Sequence, residues 1–319
     1  MKRPKRWILI LLPCVLLFGL ARLYYYLTDD FRIGNITYDF PFTPQWQTPL
    51  LTEEEQKTLV EVLSQPFRYI GKGAQCYAFV SKDEKYVIKF FKFKHLKPNW
   101  LAEQLFFLPF FHQYRDQLAA RKHRKLVGVF NGYDLAFREN RKNTQLLYVH
   151  LVPTKFLHVK TSLFDKIGWE REVYLDDVVF LVQKKGKTLR SCLHEWLKKE
   201  NLLKAKEGLA QIFNMYISEY HNGLYDHDHG VLQNTGFVDG LPFHLDVGKL
   251  HKNHEIQELA KYKYDLQFIM YKIVTWIHHC YPQFEEEITS FLSDSYEKFA
   301  EEKINFAELD PSSLKKNLL

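Results

Sequence analysis

The chain has 319 residues and carries 44 Lys plus Arg against 38 Asp plus Glu, a net charge of +6. That length is enough for one large domain or two small ones with a substantial core. The basic excess is dispersed along the chain, which excludes a dedicated nucleic-acid binder; no repeat or low-complexity tract is present. Of the four cysteines, Cys14 lies in an apolar stretch, and Cys76, Cys192 and Cys280 are too widely spaced for a disulfide framework.

The N-terminus reads as a targeting segment. Lys2, Arg3, Lys5 and Arg6 precede the uncharged run Trp7 to Ala21, followed by Arg22 and the aromatic cluster Tyr24-Tyr25-Tyr26. With Arg22 snorkelling, Trp7 to Leu27 is long enough at ~1.5 Å per residue to cross a ~30 Å hydrocarbon core. Residues 1–28 are therefore expected to be a single-pass membrane anchor, or a signal peptide cleaved after Gly19-Leu20-Ala21. The charge bias places the N-terminus in the cytosol and the body of the protein on the other side of the membrane. Residues 29–51, with Pro41, Pro44 and Pro49, read as an extended stalk. Thr52 and Glu55 then open a helix by a capping box.

Residues 69–93 read as three strands. Tyr69-Ile70 leads into a Gly71-Lys72-Gly73 turn, Tyr77 to Ser81 returns, and Tyr86 to Phe91 forms the third strand with Lys89 inside it. A glycine turn whose backbone N–H groups cover phosphates, with a lysine on the adjoining strand, is an arrangement that binds nucleotides. Glu103 follows in a helical segment. The aromatic run Phe106 to Phe111 and the basic run Arg121 to Lys125 fit a buried helix with a solvated charged end, or a surface resting on anionic lipid.

Asp176 to Gln183 reads as a strand, Lys184 to Lys187 as a linker, and Thr188 as the start of a helix. A second helix is expected over about 202–221 from the spacing of Leu209, Ile212, Phe213, Tyr216, Ile217 and Tyr220. It leads to Tyr225–Gly248, the most informative stretch of the chain. Asp228, Asn234 and Asp246 are arranged there around an expected hairpin, with strands 235–238 and 241–245 and a turn at Asp239-Gly240. Asp226, His227, Asp228 and His229, with His221 and His244, also supply donors for a transition metal, though without a helical His pair or a Cys pair to support one.

Taken in order, these motifs resemble the kinase-like superfamily. The pattern there is a G-x-G-x-x-G loop, a strand lysine as in Val87-Ile88-Lys89, an Asp, four residues and an Asn, then an Asp-x-Gly turn. Cys76 stands where the third glycine is expected. Asp228 lies six residues before Asn234 rather than five, and Asp226 is the other candidate for the base. No long activation segment follows Asp246-Val247-Gly248, so the likeness is closer to aminoglycoside, choline and lipopolysaccharide-sugar kinases than to protein kinases.

The resemblance implies an α+β, two-lobed fold behind the N-terminal span. The small lobe, residues 52–183, would hold an antiparallel sheet, and the larger helical lobe would cover 184–305, with 306–319 as a tail. It implies ATP and Mg²⁺, with Gly71, Gly73, Lys89 and Glu103 binding nucleotide, Asn234 and Asp246 binding metal, and Asp228 or Asp226 as base. The acceptor would be a hydroxyl of a small molecule, sugar or lipid. The departures at Cys76 and Asp228 keep a second reading open, an inactive pseudokinase that binds a protein partner at the membrane.

Overall fold

The computed structural model describes residues 5–94, 96–97, 109–306, 308–310 and 314. The chain divides into two compact units, one formed by residues 1–122 and 147–183 and the other by 123–146 and 184–319. Helix α1, Lys5–Leu27, begins the first unit and contains Pro13. Leu11, Leu12, Val15, Leu16, Leu17 and Phe18 on it are exposed, yet among the described residues no helix is long and apolar enough to cross a membrane.

The first unit is built on a sheet of seven strands. These are β1 (Phe67–Lys72), β2 (Cys76–Ser81), β3 (Tyr86–Phe91), β4 (Leu146–His150), β5 (Lys160–Phe164), β6 (Glu170–Tyr174) and β7 (Phe180–Lys184), in the order β4-β7-β3-β2-β1-β5-β6. Alternation drives β1, where Phe67 and Tyr69 are buried and Arg68 and Ile70 exposed. The sheet is not wholly antiparallel as expected, because β1 and β5 run parallel, with Phe67 opposite Leu163. Chain from the 147–183 segment, whose strands carry no motif, reaches β1 from its far side.

Helix α2, Glu53–Leu63, is opened by the Thr52–Glu55 capping box and packs Leu59, Val62 and Leu63 on the sheet with Phe67, Phe79, Ile88 and Phe90. Fully burying a side chain of this kind is worth roughly 1.5–3 kcal/mol. The segment 29–51 is not an extended stalk. Phe31, Ile36, Phe40 and Trp46 are all buried, and Phe31 stacks edge-on with Tyr77 and Phe79, because large apolar groups so close to the sheet have more to gain by packing than by solvation. Asp176 and Asp177 likewise lie in a 3-10 turn rather than in a strand. The Asp176 carboxylate accepts the N–H groups of Phe156, Leu157 and His158, a turn-forming role that outcompetes extension.

The second unit is mainly helical. Helix α3, Pro109–Glu139, enters it at His123; α4 (Leu189–Lys198), α5 (Leu202–His221), α6 (Leu259–Cys280) and α7 (Glu285–Ala300) complete it. Thr188 caps α4 through the Ser191 amide. Leu209, Ile212, Phe213 and Tyr216 of α5 pack with Leu266, Ile269 and Ile273 of α6 and Ile288 and Leu292 of α7 in one core. Beside these helices lie short strands: β8 (Lys187–Thr188), β9 (Leu224–Asp226), β10 (Thr235–Val238), β11 (Leu241–His244) and β12 (Leu250–Lys252). Lys187, expected in a linker, is thus a strand residue paired with Phe237. The β10–β11 turn is the expected one, with Asp239 at φ 51° and Gly240 at φ 78°, the positive angles a two-residue hairpin turn requires.

Candidate functional site

In the second unit, β9 pairs with β12 so that Asp226 lies opposite Leu250. This pairing buries the Asp226 carboxylate at the end of its strand, where Oδ1 accepts the Asp228 amide at 2.8 Å. Burial pushes the Asp226 carboxyl up to about 7; His244 and the amide bond oppose the rise, and the charges of Asp228 and Asp246 add to it. Asp228, two residues on, keeps its side chain 36% exposed, with Lys249 Nζ at 3.4 Å from one oxygen.

Gly230 then lets two side chains close over the backbone. A Cβ at that position would stand 2.8 Å from Asn234 Nδ2 and 3.2 Å from Asp228 Oδ1, so a larger residue would displace both side chains from their present positions. Asn234 ends a single helical turn, Val231–Asn234, and its carbonyl accepts the Leu245 amide at 2.7 Å. The loop is therefore tied to the chain that leaves the hairpin at its open end, next to Asp246. Asp246 Oδ1 takes two donors, Tyr133 Oη at 2.9 Å and the Gly248 amide at 3.1 Å. Gly132 makes the first of these possible, since a Cβ there would stand 2.6 Å from the Val247 carbonyl oxygen.

His229 occupies the position five residues before Asn234. Its Nε2 bonds to the buried Asp265 of α6 at 2.5 Å, and Asp265 also accepts from Tyr220 and Tyr225. The imidazole thus anchors the loop to α6, and the extra residue between Asp228 and Asn234 is used for that anchor. A parallel network centres on the buried Glu219 of α5, which meets His244 Nε2 at 2.9 Å, Asn140 Nδ2 at 2.6 Å and Asn143 Nδ2 at 3.1 Å. Burial pushes the His244 imidazole down, but Glu219 and Asp226 together outweigh this and the net direction is up.

In the first unit the glycine turn is displaced from its expected place. Gly71 and Lys72 belong to β1, Gly71 stands opposite Ala78 next to a bulge, and the turn begins at Gly73, whose amide donates to the Cys76 carbonyl at 2.9 Å. Lys89 lies opposite Ala78 on the next strand, and its Nζ donates to the buried Gln183 Oε1 at 2.9 Å. Glu103, expected to bind nucleotide with it, lies outside the described residues. The lysine that touches the turn is Lys92, whose Nζ donates to the Gly73 carbonyl and sits 4.5 Å from the Tyr77 ring centroid. Burial pushes the Lys92 ammonium down to about 8.

Tyr133, Glu219, Asp265 and Lys92 are absent from the residues singled out in sequence, and His244 appears there only as a donor for a transition metal. Glu219 had a signal, an acid three residues beyond Tyr216 on the apolar stripe of α5, and Asp265 lies similarly among the buried residues of α6. Tyr133 had none, because its contact joins residues far apart in sequence. Among the described residues no three His, Cys, Asp or Glu side chains converge as a metal site. A cavity of about 450 Å³ opens beside the loop, walled by His229, Gly230 and Val231 and by α6.

No family model matches the chain. No curated protein matches it in sequence. Solved structures do. The bifunctional kinase-methyltransferase WbdD aligns at 13% identity over 79% of this chain and 50% of its own, with a TM-score of 0.37. Its complex with the kinase inhibitor LY294002 aligns at 12% identity over 77% and 48%, also at 0.37. ADP-bound aminoglycoside phosphotransferase APH(2″)-Ib aligns at 15% identity over 84% and 95%, at 0.26. The chain spans about half the length of the WbdD chains it matches. At TM-scores below 0.5 this likeness decides neither activity nor substrate, and the chemistry has to be read from the distances within each unit.

Proposed function

We propose that the chain is a membrane-tethered, ATP- and Mg²⁺-dependent phosphotransferase acting on a hydroxyl of a small molecule, sugar or lipid. One observation carries the reading: Asp228 and Asn234 close over Gly230 where the chain enters a hairpin, and Asp246, its carboxylate oriented by Tyr133 and Gly248, stands where the chain leaves the same open end. The donors suit the metal. The amide oxygen of Asn234 and the carboxylate of Asp246 are hard oxygen ligands of the kind Mg²⁺ takes, and Asp246 Oδ2 accepts no hydrogen bond among the described residues. When bound, Mg²⁺ neutralises phosphate charge.

Asp228 is the better base. It is exposed enough to meet a hydroxyl, whereas Asp226 is buried and half protonated near pH 7. Asp226 would instead fix the loop by accepting the Asp228 amide. The acceptor oxygen forms a bond to the γ-phosphorus, the bond to the ADP oxygen breaks, and the hydroxyl proton passes to Asp228. Lys89, held by Gln183, would balance phosphate charge, and the N–H groups around Gly71 and Gly73 would cover the phosphates. Membrane attachment is supported by the exposed leucines of α1, and the basic residues ahead of it favour a body outside the cytosol.

A second reading, a pseudokinase scaffold with a protein partner, is favoured by the Lys249 ammonium beside Asp228 and by the near-neutral Asp226. Thermal unfolding of the full chain in detergent separates the two. ATP with Mg²⁺ at 100 times its dissociation constant should add ~2.7 kcal/mol of stability. The gain should vanish in EDTA and in Asp246→Asn. Absence of any shift in the wild type would remove the phosphotransferase and leave the scaffold.

A further inference from the structure

Residues 11–23 of α1 are exposed without a break, and Arg22 is the one charge among them. A run of that length winds through more than three helical turns, so its apolar side chains cover the whole circumference. A protein partner would cover one face of such a helix, whereas a bilayer covers all of them. The end of α1 is fastened to the first unit. Tyr69 Oη donates to Asp29 Oδ2 at 3.0 Å, and Tyr77 Oη donates to the Asp30 carbonyl at 2.9 Å. The Arg32 guanidinium lies 3.8 Å from the Tyr25 ring centroid and 4.9 Å from that of Tyr24.

The turn between β5 and β6 meets the helix at this level. The buried Asp165 holds it, since Oδ1 accepts the Ile167 amide at 3.1 Å and the Trp169 amide at 3.0 Å while Gly168 takes φ 85°. A buried carboxylate thus presents two exposed apolar residues, Ile167 and Trp169, the latter 57% accessible. Arg171 ties the turn to α1. Its Nη2 donates to Tyr24 Oη at 2.9 Å and lies 3.4 Å from Asp165 Oδ2, and the Tyr24 and Trp169 ring centroids are 6.0 Å apart.

We propose that the collar of Tyr24, Tyr25, Tyr26, Ile167 and Trp169 docks the first unit on a bilayer, at the level where acyl chains meet head groups. The inference rests on the membrane attachment in the proposed function and adds a second contact, made by the folded body itself, that fixes its orientation. Tyrosine and tryptophan suit that level because each joins an apolar ring to a polar tip, and a turn already held in place loses little freedom on contact. Lys166 and Arg171 are paired with Asp29 and Asp165, so the contact is apolar and aromatic, and phosphatidylcholine suffices.

Tryptophan emission of the full chain in phosphatidylcholine vesicles, with bromine on the upper acyl chains as a contact quencher, tests this. Trp169→Phe should remove a share of the quenching by brominated lipid and none of that by aqueous acrylamide. Ile167→Glu, a change at an exposed position, should lose the same share with Trp169 still present and gain quenching by acrylamide. Trp169 emission quenched by acrylamide and untouched by brominated lipid would overturn the proposal. The two readings fail separately. A chain that does not float with vesicles removes membrane attachment and the collar together, whereas one that floats with Trp169 in water removes the collar alone. Quenching by lipid in a wild type that shows no shift with ATP keeps the collar and removes the phosphotransferase.

Discussion

The two units bury ionisable groups in different ways. The first fills its interior with aromatic contacts, such as Phe31–Phe79 at 4.8 Å between centroids and Tyr69–Phe79 at 5.4 Å, and keeps its buried imidazole neutral. Burial pushes His150 down to about 4, where it bonds to the Val178 carbonyl and to Thr154. The second unit buries Glu219, Asp226, His244 and Asp265 together, each supported by hydrogen bonds around the loop that carries Asp228. Charges are costly to bury, and they are kept where they orient other groups. The first unit has one such group near its own candidate site, Lys92 at the glycine turn.

The contrast breaks first at Glu219. Glu219→Ala leaves His244, Asn140 and Asn143 without their shared acceptor and should cost about 3–5 kcal/mol, read as a fall in the urea midpoint. A loss under about 1 kcal/mol would mean that the network does not hold the second unit together.

The next effect is one of pH, with opposite signs in the two units. The Asp226 carboxyl is raised from 3.8 in the unfolded chain to about 7, so its contribution to stability is present below pH 4 and is lost as pH rises toward 7. His150 is lowered from 6.5 to about 4, so its contribution is present above pH 6.5 and is lost as pH falls toward 4. Each is on the order of a few kcal/mol. In EDTA, Asp226→Asn should gain stability over wild type as pH rises from 4 to 7. A His150→Asn variant should lose the acid sensitivity that His150 supplies. Parallel pH curves for wild type and Asp226→Asn would show that this carboxyl titrates normally.

Smaller effects sharpen the description of the Asp246 turn. Gly132→Ala forces a Cβ against the Val247 carbonyl and should cost about 1–3 kcal/mol. Tyr133→Phe removes one donor from Asp246 and should cost about 1 kcal/mol. If the proposed function holds, it should also lower kcat about tenfold, because a carboxylate that is less well oriented holds Mg²⁺ less well. Unchanged kcat in an active enzyme would reduce Tyr133 to a packing residue.

Much of the local structure was legible in sequence because its causes are local. Asp239-Gly240 specified the hairpin turn, Thr52 and Glu55 the start of α2, Thr188 the start of α4, and the apolar spacing around Ile212 and Tyr216 the bounds of α5. The seven-stranded sheet was not legible. Strands β5 and β6 lack a motif, and the parallel pairing of β1 with β5 depends on a contact between segments almost a hundred residues apart. The segment 29–51 was misread because prolines suggest extension, whereas Phe31 and Trp46 find a buried surface only once the sheet exists.

The sequence by itself determined which residue types lie around the loop: Asp226, Asp228, Asn234 and Asp246, at a spacing that a hairpin brings together. Only the tertiary structure decided their states. Burial at the β9–β12 pair raises the Asp226 carboxyl while Asp228 stays accessible, Asp265 ties His229 to α6, and the close approach of α3 at Gly132 sets Tyr133 on Asp246. Proton affinity and orientation depend on desolvation and on partners distant in the chain, and no local pattern encodes either.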